Sequence, residues 1–103
     1  MNYVLSRSDK YTKKYVVTFV NPKTGRQKSI NFGAFGMGDY TLHKDDERKD
    51  RYLQRHKTRE DWNDLTKAGA WSRWILWEKK TLPSAIRNME KKFRIRIRNN
   101  VTD

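Results

Sequence analysis

KYVVTFVNPKTGRQKSINF, residues 14–32, is the stretch on which the fold turns. Residues 14–20 are β-branched and aromatic, side chains that suit a pleated, half-buried surface. Asn21-Pro22-Lys23-Thr24-Gly25 follows. Pro22 presets φ at the second position of a turn, and Gly25 supplies the left-handed residue that closes it. Over residues 26–32, Lys28, Ile30 and Phe32 alternate with Gln27, Ser29 and Asn31, a period of two with one drier face. The stretch predicts an antiparallel β-hairpin. A lone hairpin is marginal in water. Upstream, residues 2–6 (NYVLS) predict a third strand, joined through residues 7–13. Residues 1–33 are therefore expected as a hairpin or a three-stranded meander.

Downstream the period lengthens. Gly33-Ala34-Phe35-Gly36-Met37-Gly38 has the glycines of a phosphate loop but not the Lys-Ser/Thr that such a loop needs. It predicts a glycine-bent connection in which Phe35 and Tyr40 pack closely. Residues 44–58 predict a surface helix, capped by Thr41 or starting near His43. Asp45, Asp46 and Glu47 lie in its first turn, Arg55 and Lys57 in its last, and Asp45–Lys49 and Glu47–Arg51 are spaced as i, i+4 pairs. Residues 68–79 (AGAWSRWILWEK) are apolar on more than one side and predict a buried helix between two layers. Thr81-Leu82-Pro83 opens a helix over 83–93 with Ala85, Ile86, Met89 and Phe93 as its apolar stripe. FRIRIR, residues 93–98, alternates without a break. It predicts a C-terminal strand over 94–98, with Phe93, Ile95 and Ile97 inward and Arg94, Arg96 and Arg98 outward. Such arginines serve either as a phosphate-contact row or as a charged edge against sheet-to-sheet pairing. The expected class is α+β, a small antiparallel sheet against about three helices.

With 103 residues, the chain has room for one domain, 1–103. Only 35% of residues are apolar, but thirteen are aromatic, four of them Trp, which compensates for few aliphatics. No apolar run approaches the ~20 residues of a helical membrane span. There is no Cys, so disulfides, Cys-based zinc sites and thiol catalysis drop out. The N-terminus lacks an apolar signal core, so secretion is not expected. The net charge is +12, and its distribution is uneven. Residues 1–37 carry +6, residues 38–67 are neutral, and residues 68–103 carry +6. If the two ends meet, they make one basic face suited to a polyanion.

Residues 32–93 resemble an uncharacterised family of small basic proteins encoded by large double-stranded DNA viruses of algae, amoebae and the sea. The carrying residues include Asp39-Tyr40-Thr41, His43-Lys44, the RYLQRHK string at 51–57, Trp62, Ala68-Gly69-Ala70, the SRWILW string at 72–77, Thr81-Leu82 and Phe93. The resemblance implies a viral gene acting in the virion or infected host cell, and it implies no activity. Residues 94–103 depart from the family pattern.

His43, His56, Asp39, Asp45, Asp46, Glu47, Glu60, Asp61 and Asp64 are the groups available for acid–base or metal chemistry. They show no metalloprotease, nucleophile-elbow or metal-ligand spacing, so no enzyme and no cofactor is expected. His43 is expected to help start the helix, and His56 to pack beside Tyr52. The expected function is sequence-independent binding of nucleic acid, DNA foremost, through backbone contacts. The candidate contacts are Lys10, Lys13, Lys14, Lys23, Arg26 and Lys28 on the sheet side, and Arg87, Lys91, Lys92, Arg94, Arg96 and Arg98 near the end. The alternative is a minor capsid or cement protein acting through protein contacts. A membrane partner is not expected, because no basic amphipathic helix with an exposed apolar face is legible. An edge strand at the C-terminus would also serve a homodimer.

Overall fold

The hairpin and the strand before it form as the alternation predicts. In the computed structural model, which describes residues 2–101, β1 (Asn2–Arg7), β2 (Lys13–Val20) and β3 (Gln27–Ala34) make an antiparallel meander. Met1, Thr102 and Asp103 of the expected domain lie outside the described residues. A fourth strand, β4 (Arg96–Asn99), pairs with β1, giving the order β3-β2-β1-β4. β4 runs parallel to β1, so the sheet is mainly rather than wholly antiparallel. A parallel neighbour needs a crossover, and the helices between β3 and β4 supply it.

Alternation sends Tyr3, Leu5, Val17, Phe19, Ile30, Phe32 and Ile97 to one face, all buried. There they meet Trp71, Ile75, Leu76, Ile86 and Met89 from the helices. Trp71 is completely buried, its ring centroid 5.1 Å from that of Tyr3 and 6.2 Å from that of Phe32. Its indole N–H donates to the Leu65 carbonyl at 2.9 Å, and that of Trp74 to the Trp62 carbonyl at 2.6 Å. Two buried indoles thus pin the polar connection at 59–67 to the core.

The helices differ from expectation at their ends. The helix expected over 44–58 is two: α1 (Tyr40–His43) and α2 (Asp46–His56). Lys44 takes a left-handed conformation at φ 55° and breaks the run. Asp39, not Thr41, caps α1 by accepting the Thr41 N–H at 2.9 Å. Asp45 caps α2 by accepting the Glu47 and Arg48 N–H groups at 3.0 and 3.2 Å. A carboxylate satisfies orphan donors and also meets the positive helix end, so it outcompetes the hydroxyl. Glu47–Arg51 pairs at 4.0 Å, but Lys49 leaves Asp45 for Glu78, 3.6 Å away.

The helix expected over 68–79 is α3 (Ala68–Trp71), which widens into a π-helical turn at Ser72–Leu76 and stops there. The wider turn buries Arg73, Trp74, Ile75 and Leu76 in succession, consistent with a segment apolar on more than one side. α4 (Leu82–Phe93) is capped by Thr81. The strand expected over 94–98 begins two residues later, at Arg96. Arg94 sits left-handed at φ 55° and closes α4, its N–H donating to the Glu90 carbonyl. Phe93 stays helical, its ring edge-on to Trp74 at 5.9 Å. Phe35 does not pack against Tyr40. It is 69% exposed, while Tyr40 is buried and donates to Asp46 at 2.5 Å.

At Gly33 the helical layer packs tightly on the sheet. Its φ is +78°, and a Cβ there would lie 2.7 Å from Leu76 Cδ1. Gly33→Ala is expected to lower unfolding free energy by about 1–3 kcal/mol, and Leu76→Ala by about 2–5 kcal/mol. Urea denaturation of the two variants and the double variant checks this. The double variant should cost less than the sum, because Leu76→Ala removes the clash.

Candidate nucleic-acid interface

The four strands contain no Asp or Glu, and neither does the β2–β3 turn. The helices cover one face of the sheet and leave the other open. The open face presents Val4 and Ser6 from β1, Val16 and Thr18 from β2, and Ser29 and Asn31 from β3. The Thr18 and Ser29 hydroxyls lie 3.3 Å apart across it, and Ser8 Oγ donates to Asn31 Oδ1 at 2.5 Å. Arg96 and Arg98 project onto this same face, since Ile97 between them is buried on the other. Strand geometry spaces the two arginines about 6–7 Å apart.

Strand register places the other candidates. The β2–β3 turn, with Lys23 and Arg26, lies at the end of the sheet where Asn2 pairs with Arg96. Lys10 and Lys13 lie at the opposite end, in and after the β1–β2 turn, together with Asp9. The candidates therefore border the open face along one edge and at both ends. Lys28 points to the helix side, since it is two residues from buried Ile30. Arg87 and Lys91 are exposed on α4, one turn apart. Lys92 lies 4.7 Å from the Trp74 ring centroid, a cation–π contact. The expected row Arg94-Arg96-Arg98 is divided, because Arg94 caps a helix and the other two lie on the strand.

Lys14 does not belong with the rest. It is paired with Asp39, which is buried, and its own side chain is mostly covered. Of the twelve candidates, it alone has a carboxylate within ion-pairing distance among the described residues. The remaining candidates have no ion-pair partner among the described residues. Arg7, exposed at the end of β1 opposite Tyr15, shares that property and was not among them. The composition of residues 1–37, with one acid among seven bases, was signal enough to include it.

The acids are spent elsewhere. Arg73 is buried between the Trp62 and Trp74 rings, 5.1 and 4.3 Å from their centroids, and donates to Glu78 at 2.9 Å. Burial opposes ionisation of Glu78, but the Arg73 hydrogen bond and the Arg73 and Lys49 charges outweigh it, leaving the carboxyl below its usual range. His56 stacks on Tyr52 at 4.2 Å and meets Glu60 at 3.2 Å; Tyr52 in turn stacks flat on Trp77 at 4.2 Å. Burial first, then the Glu60 charge, pushes the Tyr52 hydroxyl well above its ordinary value. His43 takes the N–H of Asp45, the α2 cap, at 2.9 Å. Among the described residues no three His, Asp or Glu side chains converge as a metal site would require.

Residues 3–56, just over half the chain, match the model of a family described as of unknown function, DUF5754. No curated protein and no solved structure matches the chain.

Two outcomes follow for stability. Lys14→Ala leaves Asp39 buried without its cation and should cost about 3–5 kcal/mol, whereas Lys23→Ala or Arg98→Ala should change stability by no more than about 0.5 kcal/mol. Urea midpoints distinguish these. The depressed Glu78 carboxyl contributes stability that is fully present above its ordinary pKa of 4.5 and is lost as pH falls through the folded value. Thermal melts between pH 6 and about pH 2 should show a shallower acid loss for Glu78→Gln than for the parent chain.

Proposed function

The chain belongs to that family of unknown function, and we propose that it is a non-enzymatic, sequence-independent nucleic-acid-binding protein of a large DNA virus. Its partner is the DNA backbone, and its place is the packaged genome or the infected cell. The observation that carries this reading is the acid-free sheet. An open face of small, uncharged side chains is bordered by Lys10, Lys13, Lys23, Arg26, Arg96 and Arg98, none of them neutralised by a carboxylate among the described residues. Duplex DNA carries one charge per ~1.7 Å of axis, and cations that displace its counterions bind with steep salt dependence. Small side chains at the centre let the backbone approach without steric conflict. Valine, serine and threonine dominate there, and Asn31, the one amide named on it, has its Oδ1 engaged by the Ser8 hydroxyl, so the face carries no bidentate reader of a base edge. The viral assignment rests on the family resemblance of residues 32–93.

A second reading, a minor capsid or cement protein, draws on exposed apolar side chains. Val20, Phe35, Met37 and Leu42 are 53–69% exposed, and an interface with another protein would cover them. High copy number in particles without affinity for free DNA would favour this reading.

Fluorescence anisotropy with labelled duplex DNA over a salt series tests the first. Micromolar or tighter binding is expected, with log K falling steeply against log salt. The Arg96→Ala/Arg98→Ala variant should lower the slope by about two, one for each phosphate contact removed. Absence of binding even at low salt overturns the proposal.

A further inference from the structure

Between the end of the sheet where Lys13 pairs with Ala34 and the helical layer lies a cleft of about 440 Å³. Phe32, Leu76 and Trp77 are its apolar lining, and Lys13, Arg55 and His56 line it as well. Two acids reach it, and both are engaged. Asp39 pairs with Lys14, and Glu60 stands 3.2 Å from His56 Nδ1. Lys13 and Arg55 are exposed and have no ion-pair partner among the described residues. A concave site with spare cations and no spare carboxylate favours an anion.

Glu60 is held on two further sides. Its Oε1 accepts the Trp62 indole N–H at 3.0 Å. Its carboxylate also fills the space beside Gly69, where a Cβ would lie 2.8 Å from Glu60 Cδ and Oε2. Gly69 belongs to α3, where alanine is the better helix former. Glycine at this position therefore serves the carboxylate and not the helix. A carboxylate oxygen so close disfavours a lone pair on His56 Nδ1, so the ring proton sits there and Nε2 keeps its lone pair as an acceptor. Tyr52 stacks on the same imidazole at 4.2 Å and holds its plane. Among the described residues Nε2 has no partner, and it is not buried.

We infer that this cleft is a nucleotide site, in which Lys13 and Arg55 hold the phosphate, His56 Nε2 accepts from a sugar hydroxyl, and the base lies against Phe32, Leu76 and Trp77. The lining asks for three things in one ligand: an anion, an O–H donor and an apolar body. A nucleoside monophosphate combines them, and the volume falls within the about 300–1,000 Å³ of small-molecule pockets. Glu60 is a positioning residue, acting on the ligand through His56. The ligand is a free nucleotide or the phosphorylated end of a strand; the chemistry is the same. The inference does not rest on the backbone reading above, since of the cations that border the open face only Lys13 and the paired Lys14 line this cleft.

The test is calorimetric titration of the full-length chain with adenosine monophosphate, inorganic phosphate and adenosine. The monophosphate should bind more tightly than either of its halves. Arg55→Ala and Lys13→Ala should each weaken it about tenfold, while Lys79→Ala/Lys80→Ala, which removes two exposed cations outside the cleft, should stay within about twofold. Glu60→Gln keeps an acceptor for the Trp62 indole but turns an amide toward His56. It should weaken the monophosphate about threefold to tenfold, leave inorganic phosphate unchanged, and move the imidazole proton from Nδ1 to Nε2 in nitrogen NMR shifts. Gly69→Ala displaces the Glu60 carboxylate without touching the cleft cations and should weaken the monophosphate to the same degree, with no loss of melting temperature. A terminally phosphorylated oligonucleotide that binds better than its unphosphorylated twin, with the gain lost in Arg55→Ala, identifies a strand end as the source; no gain, with the monophosphate still bound, identifies a free nucleotide. Equal loss in the Lys79/Lys80 variant, or inorganic phosphate bound as tightly as the monophosphate, overturns the site. So does a parent chain that binds no monophosphate, and duplex binding by that chain would leave the backbone reading standing.

Discussion

Trp71 has no exposed surface, and its indole touches the rest of the molecule on three sides. Tyr3 and Phe32 meet its ring from β1 and β3, and the Leu65 carbonyl takes its N–H. In a chain only 35% apolar, one side chain of this size must fill the volume that several leucines fill elsewhere. Its placement brings β1, β3 and α3 together and holds the 59–67 connection close enough for the Leu65 carbonyl to accept the hydrogen bond. Gly33 answers the same demand from the sheet side, since only a residue without a Cβ lets Leu76 settle next to Trp71's neighbours. Since the bulky apolar side chains of the strands are drawn to this side, the opposite face is left mainly with valines, serines, Thr18 and Asn31.

That one-sidedness shapes the electrostatics. Acidic residues cluster in residues 38–67, where they cap helices and pair with local bases. Asp39 caps α1 and neutralises Lys14, Asp45 caps α2, and Glu78 joins α2 to the helical layer through Lys49 and Arg73. Arg73 is held between two indoles, where a planar, weakly hydrated guanidinium is better suited than an ammonium. Carboxylates engaged in this internal work cannot neutralise the sheet. The surplus of +12 therefore lies in cations that these carboxylates do not reach, part of it along the edge and at the ends of the open face and part on α4 and the helix side of β3.

Much of the fold was legible because its signals are local. Alternation in residues 14–32 located β2 and β3 and the face each buries, and Thr81-Leu82-Pro83 located the start of α4. Where local signals compete, the outcome depended on neighbours distant in sequence. FRIRIR reads as one strand, yet Phe93 remains helical because Trp74 holds its ring, and the alternation begins only after Arg94 reverses the chain. KDDERK reads as the start of one helix, yet Asp45 takes the cap and Lys44 turns left-handed before it. Lys14 looked like any other base in a basic segment until the fold brought Asp39, 25 residues away, against it.

By itself the sequence determined the secondary-structure class, the aromatic core and the excess of positive charge at both ends, because periodicity, volume and net charge are properties of residues and their order. Tertiary structure alone decided that β4 lies parallel to β1, which cations remain without a partner, and that Tyr11 and Phe35, not the tryptophans, stand in solvent. The physical reason is that burial and pairing are relations between residues far apart in the chain. Two side chains with the same composition and neighbours, such as Lys13 and Lys14, take opposite fates once one of them faces a buried carboxylate.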